Sequence, residues 1–344
     1  MRYIGCKTLL LENIKDVIDR HAPNAESFCD IFSGTATVAR FFKQFYEVYS
    51  NDLLYFSYCL QRGTIELDSK PSFNKLKKAI GQDPITYLNE KELIDMEELK
   101  DKKRFFQNNY SPKGGRMYIT DENALRIDYS RNLIEEWKEN KLLSEEEYFY
   151  LIACLVEGIP FVSNITGTYG AYSKKWDKRS FKKFELCQLD IVTNNKNNKC
   201  YNEDGVQLLK RISGDILYID PPYNERQYLP NYHLLETAAK YDSPNLKGKT
   251  GQREYENEKS SFCSKKTVAD SFEELIKNAQ FKHIVLSYNT DGLMDLNTIE
   301  TIMKKYGIPD TFEINYIPYR RFKSRNDTRS DELKEVIVYI EKEV

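Results

Sequence analysis

The densest chemistry in this sequence lies at Asp220-Pro221-Pro222-Tyr223, directly after the apolar run DILYI at 215–219. Two consecutive prolines fix their φ angles and remove two N–H donors. What remains is a stiff turn offering only acceptors, the Asp220 carboxylate and the Pro221 carbonyl, beside the aromatic face of Tyr223. An exocyclic amino group on a flat ring has two N–H donors to place and a face to stack, so this turn is its complement. A second feature lies upstream. Asp30-Ile-Phe-Ser-Gly-Thr-Ala-Thr reads as a strand, a tight turn of small residues and a helix start. Gly34 lets the backbone approach a ligand closely, and a helix N-terminus beyond it favours an anionic group. The spacing is neither GxGxxG nor GxxxxGK(S/T), which speaks against a dinucleotide or a triphosphate. Asp52, closing the next strand, suits a ribose diol, because a carboxylate can accept from two adjacent hydroxyls. The pattern points to a small nucleoside-type cofactor beside an acceptor for an amine. Each of these acids alone also reads as a helix N-cap.

Such groups need a scaffold that gathers distant strand ends. A helix pattern covers 8–20, with Leu9, Leu10, Ile14, Val17 and Ile18 near helical spacing. Residues 27–32 (SFCDIF) read as a short strand, 36–45 as a helix, 47–50 (EVYS) as a second strand, and the stretch from Leu54 as another helix. The same alternation returns late. Cys200-Tyr201 leads into Asn202-Glu203-Asp204, 215–219 and 283–288 (HIVLSY) read as strands, and 312–316 with 335–340 (EVIVYI) as a terminal pair. Strands alternating with helices predict a largely parallel sheet covered on both faces. In such sheets ligands sit beyond the carboxyl ends of the strands, where Asp30, Asp52, Asp204 and Asp220 fall. The stretch 61–195 differs. It is polar and helix-leaning, with one apolar helix at 145–157 and a loop rich in Gly, Thr and Tyr at 164–172 (NITGTYGAY). This predicts one α/β domain built from 1–60 and 196–344, with 61–195 inserted as a second domain.

The 344 residues are 40% hydrophobic and 30% charged, a balance that excludes disorder and collagen-like structure. No run of about 18 apolar residues exists, so no membrane-spanning helix is expected. Acids soon after a short apolar stretch at the N-terminus argue against a secretory leader. The seven cysteines form no CxxC pair and suggest neither a zinc site nor a disulfide framework, so no metal and a reduced, cytoplasmic setting are expected. With 51 basic and 53 acidic residues the net charge is −2, which excludes a globally basic chromatin-type protein. A local basic patch is still enough for nucleic acid. Two runs qualify: 174–183 (KKWDKRSFKK) holds six basic residues and one acid, and 320–329 (RRFKSRNDTR) five and one. Either run alone also reads as a solvated face.

The segments YIGCK, DIFSGTATV and DILYIDPPY resemble the S-adenosylmethionine-dependent DNA adenine-N6 methyltransferases of the D12 or Dam-like class. The order is theirs too: N-terminal Lys motif, Gly motif, insertion, DPPY. SNITGTYGAY, KKWDKR, YNED, DPPYNERQYLPNYHLLET and LSYN are further similar to the FokI-type modification methyltransferases of type IIS restriction–modification systems. The resemblance spans nearly the whole chain. It implies an α/β, Rossmann-like class I methyltransferase sheet with a largely helical inserted DNA-recognition domain. Residues 1–60 and 196–344 would then be the catalytic, S-adenosylmethionine-binding domain, and 61–195 the target-recognition domain. Carried over by position, Tyr3 and Lys7 would contact the cofactor, and Asp30, Phe32, Ser33, Gly34 and Thr35 would form its methionine-side turn. Asp52 would hold the ribose hydroxyls, and Asp204 would lie near the adenine. Asp220, Pro221, Pro222 and Tyr223 would hold the target base, with Asp220 also beside the cofactor. One departure is Ala36, where many relatives carry a second glycine; tighter packing is expected there.

The implied reaction is site-specific methylation of adenine N6 in duplex DNA, as part of a restriction–modification system. N6 is a poor nucleophile because its lone pair is delocalised into the ring. Hydrogen bonds to Asp220 and the Pro221 carbonyl would shift electron density onto nitrogen and align it for attack. The base must leave the stack, and Tyr223 would receive it. Tyr169, Lys174, Lys175 and Arg179 of the insertion are the first candidates for DNA contacts, with Arg226 after the DPPY turn and Arg320 and Arg321 near the C-terminus. The expected partner is double-stranded DNA. A cognate restriction endonuclease is expected to act without stable contact, and the chain to be a monomer free of the membrane. The rival readings are the same fold acting on cytosine N4 or RNA, and a non-catalytic DNA-binding module. The complete DPPY and strand-end acids argue against them.

Overall fold

A computed structural model describes residues 4–97, 99–100, 103–318 and 334–344. The chain divides into two compact units. One consists of Lys7–Leu53, Lys196–Gln227 and Lys259–Val344; the other holds Leu54–Asn195, Tyr228–Glu258 and the residues up to Cys6.

The first unit is built on a sheet. Its strands are β1 Ser27–Asp30, β2 Glu47–Asn51, β3 Lys199–Tyr201, β4 Ser213–Ile219, β5 Gln280–Asn289, β6 Glu313–Pro318 and β7 Lys334–Glu341. Their order is β3-β2-β1-β4-β5-β7-β6. The first five run parallel, and β7 runs antiparallel to both β5 and β6. Side chains alternate between two cores, as strand periodicity requires. Phe28, Ile216, Tyr218, Val285, Ile337 and Tyr339 pack with the helix Leu11–His21 and with Val38 and Phe42. Cys29, Leu217, Ile219, Ile284, Leu286, Val336 and Val338 pack with the helices Val268–Asn278 and Leu296–Tyr306. Burial on both faces explains why β4 and β5 read as near-continuous apolar runs. From β1 the chain builds outward through β2 and β3, then returns to place β4 on the other side of β1. The reversal makes the crevice beyond β1 and β4 the ligand position of such sheets.

The second unit is helical. Its two long helices are Asp121–Glu139 and Glu145–Val162. Thr120 caps the first through Asn123 N, and Ser144 with Glu147 closes a capping box on the second. The apolar helix expected at 145–157 runs on to Val162, with Pro160 in its last turn. Its Tyr150, Leu151, Leu155 and Ile159 are fully buried in a core shared with Phe56, Leu76 and Ile134.

The domain boundaries differ from the sequence expectation. Residues 228–258, assigned there to the catalytic part, belong to the helical unit, and so do 54–60. The reason is burial. The helix Tyr228–Lys240 contributes Leu229, Tyr232, Leu234 and Leu235 to the helical core. It also supplies a cap. Leu54, at the N-cap of the helix Tyr55–Arg62, has no side chain able to cap it. The fully buried Glu236 does so instead, accepting from Tyr55 N at 3.0 Å and Phe56 N at 2.9 Å, with Lys240 Nζ at 3.0 Å. Replacing Glu236 by Ala strands the two backbone donors, while the Lys240 ammonium keeps Glu258 at 2.7 Å. Glu236→Ala should cost about 2–3 kcal/mol, and Glu236→Gln less, read from urea midpoints at unchanged m-value.

Candidate active site

Every described member of the expected cofactor and base-binding set lies in the sheet unit, at the carboxyl edge of the parallel strands. β1 ends on Asp30, which is 1% exposed. Its Oδ2 accepts from Ser33 Oγ at 3.0 Å, and its Oδ1 is buried with no hydrogen-bond partner among the described residues. Burial, with the nearby charges of Asp220 and Asp52, pushes the Asp30 carboxyl up to about 8 against the pull of Ser33. The turn then folds over β2. Ser33 N donates to Asn51 O at 2.9 Å, and Gly34 N to Asp52 Oδ2 at 2.8 Å. The Gly34 N–H is thereby spent on locking Asp52 in place. Phe32 meets Phe262 edge-on at 4.9 Å, and the Thr35 and Thr37 hydroxyls are 3.0 Å apart. Gly34 and Ala36 are both left-handed, with φ of +52° and +58°.

β4 delivers Asp220. Its Oδ1 takes Lys7 Nζ at 3.1 Å and the Tyr223 hydroxyl at 2.5 Å. Burial raises the Asp220 carboxyl above its ordinary range, while the Lys7 ammonium and the Tyr223 hydroxyl pull it back. Lys7 is itself 4% exposed and lies 4.6 Å above the Tyr223 ring. Tyr288 of β5 meets the same ring edge-on at 5.0 Å. Sequence reasoning gave Tyr223 an aromatic face to stack on; the structure adds a hydroxyl that binds Asp220. Lys7, expected as a cofactor contact, is paired with the Asp220 carboxylate.

Asp204 is exposed and N-caps the four-residue helix Gly205–Leu208 through Gln207 N at 3.1 Å. The cap is the role an isolated acid at that spot has by default. Tyr3, Arg320 and Arg321 lie outside the described residues.

Two contributors were missed. Asn51 crosslinks the strand ends, its Nδ2 donating to Ile31 O and Glu203 O at 3.1 Å each and its Oδ1 accepting from Glu203 N at 3.2 Å. Its signal was its place beside Asp52. Glu335, the second residue of β7, is 7% exposed and reaches to 3.9 Å from Lys7 Nζ. Its signal was a lone acid heading an apolar strand.

The sequence profile of the D12 class N6 adenine-specific DNA methyltransferases matches residues 3–302. The chain belongs to that family. It is 49% identical over its whole length to the type II methyltransferase M.FokI of Planomicrobium okeanokoites, and 44% identical over 99% of it to the modification methylase StsI of Streptococcus sanguinis. Those alignments cover 53% and 52% of the two relatives, so the chain spans about half their length. It is also 37% identical to the type II methyltransferase M.NlaIII of Neisseria lactamica, over 99% of this chain and 98% of that one.

The residues expected to touch DNA in this D12 chain do not share one fate. Tyr169 is corrected: at 1% exposure it is core. Its hydroxyl is 3.1 Å from Ser163 Oγ, and its carbonyl accepts from Tyr118 Oη at 2.7 Å and pairs with His233 Nε2 at 3.0 Å. A tyrosine with its polar tip satisfied inside is stable there, and the Gly/Tyr-rich loop is pinned by it. Arg179 is half-buried and turned onto its own loop, bound to Ile165 O and 3.3 Å from Asp177. Lys174, Lys175 and Arg226 are exposed.

The glycine that the family resemblance leads one to expect at position 36 would have a backbone reason. A left-handed residue with a side chain is strained by about 1–2 kcal/mol, and Ala36 is fully buried as well. The tighter packing expected there therefore comes with a strained φ. Ala36→Gly should leave stability unchanged or raise it by up to about 1 kcal/mol. Ala36→Val, β-branched in the same conformation, should lower it by more than about 2 kcal/mol, both read as thermal midpoints.

Proposed function

We propose that this chain is a site-specific DNA adenine-N6 methyltransferase of a restriction–modification system, acting on an adenine flipped out of duplex DNA with S-adenosylmethionine as donor. The observation that carries the reading is the meeting of Asp220, from the DPPY turn, with Lys7 and Tyr223 beyond the reversal of strand order between β1 and β4. The relatives' names, type II methyltransferase and modification methylase, support it.

The residues present suit the donor. Asp30 Oδ1 is a buried carboxylate oxygen with no hydrogen-bond donor among the described residues, as a cationic α-ammonium would require. Ser33, Gly34 and Thr35 line the turn beside it, Phe32 gives an aromatic wall, and Asp52 offers its carboxylate to the ribose. Lys7 would contact the donor from the N-terminal motif, and Asp204 would lie near its adenine. Bound there, S-adenosylmethionine supplies a methyl group made electrophilic by its sulfonium.

The protein's own contribution is positioning. Asp220 and the Pro221 carbonyl accept the two N6–H bonds, hold the amine's plane and shift electron density toward nitrogen. Asp220 need not be a strong base, because the proton becomes acidic only as the new bond forms. Flipping the base costs a few kcal/mol. Stacking on Tyr223, worth about 1–3 kcal/mol, offsets much of that. Lys174 and Lys175 of the helical unit and Arg226 of the sheet unit would contact phosphates, which sets affinity and its salt dependence.

Two outcomes are expected. With labelled S-adenosylmethionine and separate DNA, RNA and protein acceptors, label should enter duplex DNA as N6-methyladenine. Asp220→Ala should lower that rate about a hundredfold to a thousandfold, with duplex binding by gel shift retained. N4-methylcytosine would overturn the base assignment, and no transfer to any acceptor the enzymatic reading. The second concerns protons. Asp30, raised to about 8, is mostly protonated at pH 7 and must ionise to receive an ammonium. Donor affinity should therefore rise with pH up to about 8. Calorimetry in buffers of different ionisation enthalpy should show nearly one proton released per site at pH 7, lost in Asp30→Asn.

A further inference from the structure

The acid at the second position of β7 has no explanation in the fold. Val336, Ile337, Val338 and Ile340, which follow Glu335, are all fully buried, and Tyr339 is 1% exposed. A sheet position of this kind is best filled by an apolar side chain, because burying a carboxylate costs several kcal/mol. Glu335 Oε2 is nonetheless buried and has no hydrogen-bond partner among the described residues. It lies 3.9 Å from Lys7 Nζ, whose ammonium is 3.1 Å from Asp220 Oδ1. One cation thus stands between two carboxylates.

Among the described residues the facing ladder positions add no charge to that arrangement. Across the ladder Glu335 faces Asn289 of β5 and Ile317 of β6, neither of which titrates. Tyr218 of β4 and Tyr223 of the DPPY turn also feel its charge, and burial keeps both hydroxyls neutral. Burial raises the Glu335 carboxyl above its ordinary range; the Lys7 ammonium opposes the rise and the Asp220 charge adds to it.

We propose that Glu335 is a positioning residue that acts on Asp220 through Lys7, sharing the ammonium so that Asp220 keeps more of its negative charge for the incoming amine. The inference rests on the reading of Asp220 as the amine's acceptor. If Lys7 served Asp220 alone, it would neutralise the carboxylate more fully and weaken its hydrogen bond to N6–H. Glu335 counters this from the far side of the ammonium. The antiparallel entry of β7 is what allows it, since only a strand running against β5 starts at the carboxyl edge of the sheet.

The test is Glu335→Gln. It should lower kcat for DNA methylation about tenfold, leaving KM for DNA and for S-adenosylmethionine within about twofold. The acid limb of the kcat–pH profile should move to lower pH, because Asp220 without a second negative charge nearby holds its proton less tightly. Glu335→Asp, which keeps the carboxylate, should bring the limb back toward the wild-type position. A merely structural glutamate would lower the active fraction and leave the limb where it was. A second readout needs no activity. In protein carrying 13C-carboxyl aspartate and glutamate, with Asp220 and Glu335 assigned through Asp220→Asn and Glu335→Asp, the two wild-type carboxyls should titrate as a coupled pair. The Asp220 curve should fall to lower pH in Glu335→Gln. A shifted curve in protein that methylates no DNA would uphold the coupling while removing the proposed function. Independent single-step titrations in the wild type, or an unmoved acid limb in folded Glu335→Gln, would overturn the inference.

Discussion

One ammonium set among buried carboxylates governs this site. Asp30, Asp220 and Glu335 all lie at the carboxyl edge of one sheet, and burial raises all three carboxyls above their ordinary range. Among the described residues Lys7 pairs with two of them, and Asp30 Oδ1 is left without a hydrogen-bond partner. Such a cluster is poor for stability, since each desolvated charge works against folding. It is well suited to a ligand that brings positive charge, and it makes the protonation of the edge responsive to binding.

Topology explains how residues so far apart in sequence reach that edge. Parallel strands put Asp30, Asp52 and Asp220 at their carboxyl ends, and the reversal of order between β1 and β4 opens the crevice they face. The antiparallel β7 enters from the same edge and brings Glu335. The turn after β1 accepts a strained left-handed alanine so that Gly34 can bind Asp52. Local strain and unpaired buried charge thus coincide at the place proposed for chemistry, where such costs are commonly found.

Much of this was legible beforehand. The strand pattern, the acids at strand ends and the DPPY turn carry strong local signals, because apolar runs between turn residues have few other uses. Family resemblance extended that reading to the Rossmann-like sheet. Other features were illegible for definite reasons. Tyr169 sits in a loop whose glycines and tyrosines suggest exposure, and its burial depends on His233 and Tyr118, which are distant in sequence. The placement of 228–258 in the helical unit depends on which core receives Leu234 and Leu235, and an amphipathic pattern does not name its partner.

The amino-acid order alone therefore determined the elements, the family and the place of the rigid DPPY turn, because each rests on neighbours in sequence and on a rigid local geometry. Tertiary structure alone decided which charges share a cation, which aromatic is core, and which unit owns a helix. Those outcomes depend on desolvation and on distances between segments hundreds of residues apart, such as Lys7 and Glu335, which no local pattern encodes.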